Sequence, residues 1–226
     1  SPENSRYADY VESTDGFLPE LYPIRGDGPD QVPLIIRDMK TIAADLKRAG
    51  TTRKAIWAIV QVFEGWGWPR YPTDAEVRAM TYLSLIHGAT GMTYYTYGGH
   101  GKNHGATHDP RVWANLKRVA GELAQLQNVL VERDPGVKVA CEVVAGPARD
   151  ALGYPSISTM VRRHSGFTYL FTASSSAENV KARFRVPGLG QKVECLFEER
   201  ALSPQGGLLE DSFEPYGVHV YRWRNP

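Results

Sequence analysis

Lys54-Ala55-Ile56-Trp57-Ala58-Ile59-Val60-Gln61-Val62-Phe63 carries five consecutive apolar residues, Ile56 to Val60, with no polar residue to give one wet face. A run of this length is too short for most helices. It suits a strand buried on both faces, as in a parallel sheet covered by helices. The loop after it, residues 64–72, is rich in Trp, Gly and Pro. Thr73-Asp74-Ala75-Glu76 then reads as a capping box, in which Thr73 and Glu76 satisfy each other's free amides at a helix start. The helix it opens, to about His87, is apolar around most of its girth and is expected to be buried.

Outward from this segment the same rhythm repeats. Downstream, Gly88-Ala89-Thr90-Gly91 turns into a second strand at 92–97. A loop of Gly and His follows, and Asp109-Pro110 starts a helix over 111–131. Its apolar stripe is Val112, Leu116, Val119, Ala120, Leu123 and Leu126. Upstream, residues 15–24 read as a buried strand running into a loop. A helix at 31–49 is expected next, capped by Asp30 and ended by Gly50, with Leu34, Ile35, Met39, Ile42, Ala43 and Leu46 inward. The order is βαβαβα, the alternation of a parallel α/β sheet. Three such strands alone would leave edges and a face uncovered.

Beyond Pro135 the pattern changes to short strands and turns. Strands are expected near 137–145, 157–163, 168–173, 182–186, 192–197 and 218–223. Val218-His219-Val220-Tyr221 alternates as in an antiparallel sheet with one wet face. The charged turn Glu132-Arg133-Asp134-Pro135-Gly136 marks the boundary, giving domains at 1–133 and 134–226.

Among the 226 residues, 26 Lys+Arg against 25 Asp+Glu argue against a polyanion-binding surface, so no nucleic-acid partner is expected. No stretch approaches the length of apolar chain that spans a bilayer, so no membrane partner is expected either. The opening Ser1-Pro2-Glu3-Asn4-Ser5 shows no signal-peptide pattern, which leaves localisation open. Cys141 and Cys195 are compatible with one disulfide or with two buried thiols, and spacing does not choose. Twelve Tyr and five Trp fit a sugar-binding protein and an ordinary core alike.

Three pieces together resemble the C-terminal end of clan-A type glycoside hydrolases. Asp15…Glu20-Leu21-Tyr22-Pro23 is similar to the sixth barrel strand. Trp57…Gln61-Val62-Phe63…Arg70-Tyr71-Pro72-Thr73…Glu76-Val77-Arg78 is similar to the seventh strand and the helix after it. His87-Gly88-Ala89-Thr90-Gly91-Met92-Thr93-Tyr94-Tyr95 is similar to the entry to the eighth. The stretch Asp211-Ser212-Phe213-Glu214-Pro215-Tyr216-Gly217-Val218-His219-Val220-Tyr221 resembles the closing strand of an appended sandwich. The implied fold class is α/β plus all-β: the last three β/α units of a (β/α)₈ TIM-type barrel, followed by a small antiparallel β-sandwich.

The resemblance also implies chemistry. Such hydrolases work with two carboxyl groups, about 5–5.5 Å apart in retaining enzymes. The acid/base follows the fourth strand, which lies outside this chain. The nucleophile ends the seventh, where Glu64 is the available carboxylate; strand parity sets Gln61 and Glu64 on opposite faces, leaving open which one points inward. Tyr22 matches a tyrosine that hydrogen-bonds the nucleophile, or else lines the core. Glu20 is expected to bind sugar hydroxyls or to pair with Arg70. Trp66 and Trp68 are expected to stack on sugar or to pack against missing structure. Gln61, Arg70, Tyr95 and His100 complete the expected substrate contacts. His100, His104 and His108, spaced by four, would favour zinc on a helix, but Gly98, Gly99, Gly101 and Gly105 argue against one. No metal and no cofactor is implied. The expected partners are carbohydrate and either an N-terminal half barrel or a second copy of the chain. The isolated chain is expected to be an inactive glycoside-hydrolase fragment, or alternatively a non-catalytic binding module.

Overall fold

The structure, a computed structural model, describes residues 7–25, 31–51 and 54–225. Contacts divide the chain into two compact units, Ser1–Leu116 and Lys117–Pro226, and the division falls inside a helix.

The first unit begins with a 3-10 turn, Tyr7–Tyr10, followed by β1 (Gly16–Phe17), β2 (Glu20–Leu21), α1 (Leu34–Arg48), β3 (Ala55–Gln61), α2 (Asp74–Ile86), β4 (Gly91–Tyr95) and the start of α3 (Pro110–Leu130). β1 and β2 pair parallel with β3 in one register, Gly16 opposite Ala55 and Glu20 opposite Ile59. They are one strand interrupted at Leu18-Pro19, because Pro19 has no amide hydrogen for the ladder. Its carbonyl still accepts from the Ile59 amide at 2.9 Å. β4 lies parallel along the other side of β3, from Trp57 opposite Gly91 to Gln61 opposite Tyr95. The alternation and the parallel neighbours are those expected from the sequence.

The burial of β3 is not. Ile56, Ala58 and Val60 are buried on the face that α2 covers, whereas Trp57 on the opposite face is 50% exposed. Among the described residues the apolar run is thus well covered on one face and only in part on the other. Gly91 sits directly across from Trp57, and a Cβ there would lie 2.7 Å from the indole ring. Gly91→Ala is expected to cost about 1–3 kcal/mol by overpacking, read as a lowered denaturant midpoint with an unchanged slope.

α1 buries Ile35, Ile36, Met39, Ile42 and Leu46. The expected Ala43 faces solvent, and Asp45 is buried instead, accepting the Tyr7 amide at 3.1 Å and pairing with Arg48. The helix starts at Leu34 after Pro33 without a side-chain cap, and the Asp30 expected to cap it lies outside the described residues. Its end matches expectation: Gly50 takes φ +75°, and the amides of Thr51 and Gly50 donate to the carbonyls of Leu46 and Lys47, both at 3.0 Å. α2 opens with the full Thr73–Glu76 capping box and is buried nearly all round. The buried hydroxyls of Thr81 and Ser84 donate to the carbonyls one turn back, Val77 and Met80, so no polar group is stranded. Along α3 the buried line is Val112, Asn115, Val119, Glu122, Leu126 and Val129, so Leu116, Ala120 and Leu123 lie off its centre.

The second unit contains β5 (Ala140–Ala145), β6 (Ile157–His164), β7 (Phe167–Ser174), β8 (Val180–Arg185), β9 (Val193–Leu196), β10 (Arg200–Leu202), β11 (Leu209–Phe213) and β12 (Val218–Arg224). They form a five-stranded sheet in the order β10-β9-β12-β7-β6 and a three-stranded sheet β11-β8-β5, antiparallel throughout. One core joins the two, with Val161, Leu170, Tyr221 and Trp223 from the first and Ala182, Phe184, Leu209 and Phe213 from the second. The expectation of one wet face fails for β7, which is buried from Thr168 to Ser174 on both faces. Both cysteines are free thiols, Cys141 exposed and Cys195 buried. Burial pushes the Cys195 thiol up to about 12, so it is a packing group at neutral pH.

Candidate functional site

Parallel strands bring their C-terminal ends to one rim. At this rim Tyr22 follows β2, residues 62–68 follow β3, and Tyr95 ends β4. Two loops are zipped together above it. The amides of Glu64 and His104 each donate to the other's carbonyl at 3.1 Å, and the two side chains meet at 3.0 Å, Oε1 to Nδ1. The other ring nitrogen of His104 faces the Gly101 carbonyl at 3.1 Å, and its ring stacks on His108 at 5.1 Å. Among the described residues no group of three His, Cys, Asp or Glu side chains is placed to hold a metal ion.

Residues 65–68 make a tight turn, with Gly65 and Trp68 exchanging backbone bonds of 2.7 and 2.8 Å. Trp66 at its tip takes φ +50°, a left-handed conformation that costs a residue with a Cβ about 1–2 kcal/mol. The Asn103 side chain compensates by accepting the Trp66 amide at 2.7 Å. The result is an indole held out from the surface, 39% exposed.

Around it lies an aromatic cluster. Phe63, wholly buried, has the rings of Tyr22, Trp66, Trp68 and Tyr95 edge-on at 5.1, 5.5, 5.2 and 5.6 Å. Tyr22 stacks on Tyr95 at 5.8 Å, and His100 tilts over Trp66 at 6.5 Å. The Trp68 indole donates to the Tyr22 carbonyl at 3.1 Å, and the Arg25 guanidinium sits 5.8 Å above its ring. Tyr71 donates to the Gly105 carbonyl at 2.9 Å; burial, then the charges of Glu64 and Asp109, push its phenol up to about 12. Rigid aromatic faces beside one carboxylate suit a flat, hydroxylated ligand, with the rings covering its apolar face and Glu64 accepting from its hydroxyls.

Several expectations change here. Gln61 is buried completely, its amide turned to backbone. Its Oε1 accepts the Ile24 amide at 3.0 Å, and its Nε2 donates to the carbonyls of Ile24 and Phe63 at 3.4 and 3.3 Å. It is a latch between the β2 loop and β3, and β3 ends at it, so strand parity never reaches Glu64. The Tyr22 hydroxyl is buried and makes no hydrogen bond, so it does not hold Glu64; burial, then Glu20 and Tyr95, raises its phenol well above the usual range. Arg70 does not pair with Glu20. It forks onto both Glu76 oxygens at 2.8 Å and steadies the capping box, holding the Glu76 carboxyl below its usual range against the pull of burial. Glu20 is exposed and lines a separate groove with Arg25, Arg37 and Asp38. Phe63 and Tyr71 enter the sequence reading only as parts of a motif and Asn103 not at all, so none of the three was expected at the site. Gly65-Trp66-Gly67-Trp68 does signal a tight turn, but its partner loop lies almost forty residues away.

No family model matches the chain, and no curated protein matches it. Solved structures do. A crystal structure of AmyP in complex with maltose aligns with 98% of this chain and 54% of its own, at 10% identity and TM-score 0.57. The α-amylase of Geobacillus thermoleovorans, complexed with acarbose, aligns with 82% of this chain and 43% of its own, at 9% identity and TM-score 0.51. A family 5 glycoside hydrolase from Bacteroides vulgatus aligns with 96% of this chain and 52% of its own, at 14% identity and TM-score 0.50. The fold is thus one shared with clan-A-type glycoside hydrolases, as the sequence resemblance implied. The chain spans about half the length of these structures.

Proposed function

We propose that the chain is the carbohydrate-gripping part of a glycoside hydrolase. Residues 1–133 supply the last three β/α units of a (β/α)₈ barrel, and residues 134–226 form an appended β-sandwich. The observation that carries this reading is the Tyr22–Phe63–Trp66–Trp68–Tyr95 cluster beside the Glu64–His104 pair, gathered where three parallel strands end. Active sites of such barrels sit at that end of the strands. The half-exposed Trp57 and the coverage of about half of each neighbour support a wall that other polypeptide completes, either an N-terminal half or a second copy. In this reading Glu64 is the nucleophile position and a carboxyl from the completing polypeptide is the acid/base. Binding and turnover therefore separate: the chain alone grips sugar and does not cleave it.

The test is calorimetric titration of the chain with a panel of neutral oligosaccharides, alongside release of nitrophenol from aryl glycosides. Measurable binding without turnover is expected. Trp66→Ala is expected to weaken binding about tenfold, since an exposed rigid ring supplies contact at little entropic cost. Absence of binding across the panel overturns the reading, and turnover by the isolated chain that Glu64→Gln abolishes overturns its incompleteness.

A further inference from the structure

Beyond the cluster, along the same rim, the structure presents a second pair of rings. Tyr97 is 71% exposed, the most open aromatic side chain among the described residues, and meets Trp113 edge-on at 5.7 Å and 86°. Such exposure usually accompanies a loose segment, but this one is pinned. The amide and hydroxyl of Thr107 donate to the Tyr97 carbonyl at 3.1 and 2.8 Å, and the Ala106 amide donates to Thr96 at 2.8 Å. Trp113 stands in the first turn of α3, its amide bonded to the Asp109 carbonyl at 3.0 Å. Asp109 in turn orients the exposed Arg111, through its amide at 2.8 Å and its guanidinium at 2.6 Å. An aromatic face fixed by backbone bonds and flanked by donors repeats, on a smaller scale, the chemistry of the Trp66 cluster.

We propose that Tyr97 and Trp113 form a second saccharide platform, continuous with the first, so that the chain takes an extended oligosaccharide rather than a single sugar. Continuity follows from the chain itself: a single residue, Thr96, separates Tyr97 from Tyr95, which puts their Cα atoms within about 7 Å. Tyr95 is itself 44% exposed, so each platform has an open ring at the same strand end. A two-unit sugar is satisfied by the Trp66 cluster, and a longer one reaches Tyr97. This inference rests on the carbohydrate reading above and adds a length preference to it.

The experiment is calorimetry with paired two-unit and six-unit malto-, cello-, xylo- and galacto-oligosaccharides on the wild type, Tyr97→Ala and Trp113→Ala, with circular dichroism to verify folding. Tyr97 packs into no core, so its variant is expected to fold. The expected result is a six-unit sugar bound more tightly than its two-unit partner, and a loss of about tenfold on the six-unit sugar alone in Tyr97→Ala. Equal loss on both lengths, or none on either, overturns the second platform while leaving the carbohydrate reading intact. Failure of the wild type to bind any sugar overturns the carbohydrate reading first, and this one with it.

Discussion

Arg200→Met is expected to lower the unfolding free energy at pH 7 by about 3 kcal/mol, near the foot of the range for breaking a buried ion pair because a third of the Arg200 side chain remains exposed. Arg200, on β10, donates from Nε to Glu198 at 2.8 Å and forks onto Asp211 of β11 at 3.1 and 2.7 Å. Asp211 also accepts from the Tyr221 hydroxyl at 2.9 Å, and Glu198 meets His219 at 2.6 Å. β10 and β12 belong to one sheet and β11 to the other, so this polar cluster joins the two sheets beside the Phe184–Phe213–Tyr221 core. Methionine would fill much of the space but leave two partly buried carboxylates facing each other.

The pH dependence gives the cluster a signature. Burial pushes the Glu198 and Asp211 carboxyls up, and the bonds from Arg200, His219 and Tyr221 outweigh it, holding both below the usual carboxylate range. A depressed folded pKa contributes stability that is present above the unfolded value, about 4, and lost as pH falls through the folded one. The wild type is therefore expected to lose stability below about pH 4. In Arg200→Met the carboxyls keep the cost of burial without the compensating charge. Most of the deficit then appears at pH 7 and shrinks toward pH 3, as protonation first relieves the variant's carboxyls and then costs the wild type its charge-dependent contacts. Urea unfolding at the two pH values measures it, and a deficit that is the same at both would locate the loss in packing instead. Arg200→Lys keeps the charge without the fork and is expected to fall between.

Those charges also show where sequence stops being legible. β11 reads Leu-Glu-Asp-Ser-Phe, with acid where a strand pattern calls for an apolar residue. Asp211 is tolerated there only because Arg200 and Tyr221 come from other strands. Asp45 in α1 is the same case, buried because Tyr7 and Arg48 bond it. Patterns carried by local chemistry were readable: the apolar run of β3, the Thr73–Glu76 box, the Gly50 stop. Aromatic residues destined for the rim were readable as types, since Trp66, Trp68 and Tyr95 flank strand ends. Which polar group would face them was not. Gln61 and Glu64 differ by three positions, and a latch to Ile24 together with a bridge to His104 decides their roles. Both partners are about forty residues away, and no periodicity reports them.

The bridge itself can be tested through Gly105→Val, for which loss of both stability and sugar binding is expected. Gly105 has an ordinary φ of −89°, so what it provides is space rather than conformational freedom. A Cβ there would lie 2.2 Å from the Gly98 carbonyl oxygen and 2.5 Å from that of Thr96, and rigid backbone cannot yield as a side chain tip does. The Gly105 carbonyl also receives the Tyr71 hydroxyl, and the next residue's amide bonds Thr96. Parting these segments would draw His104 from Glu64 and Asn103 from the Trp66 amide, since both lie within two residues of the clash. Overpacking of this kind costs about 1–3 kcal/mol, and more where backbone must move. Trp66 would lose the bond that holds its left-handed turn, and its ring would relax toward solvent. The expected result is a red-shifted tryptophan emission together with at least tenfold weaker oligosaccharide binding, about 1.4 kcal/mol. Gly98→Ala serves as the control, because a Cβ at that position meets nothing within 4 Å. If Gly105→Val bound sugar as the wild type does, the two loops would not be what presents Trp66, and the rim site would have to be rebuilt around Tyr95 alone.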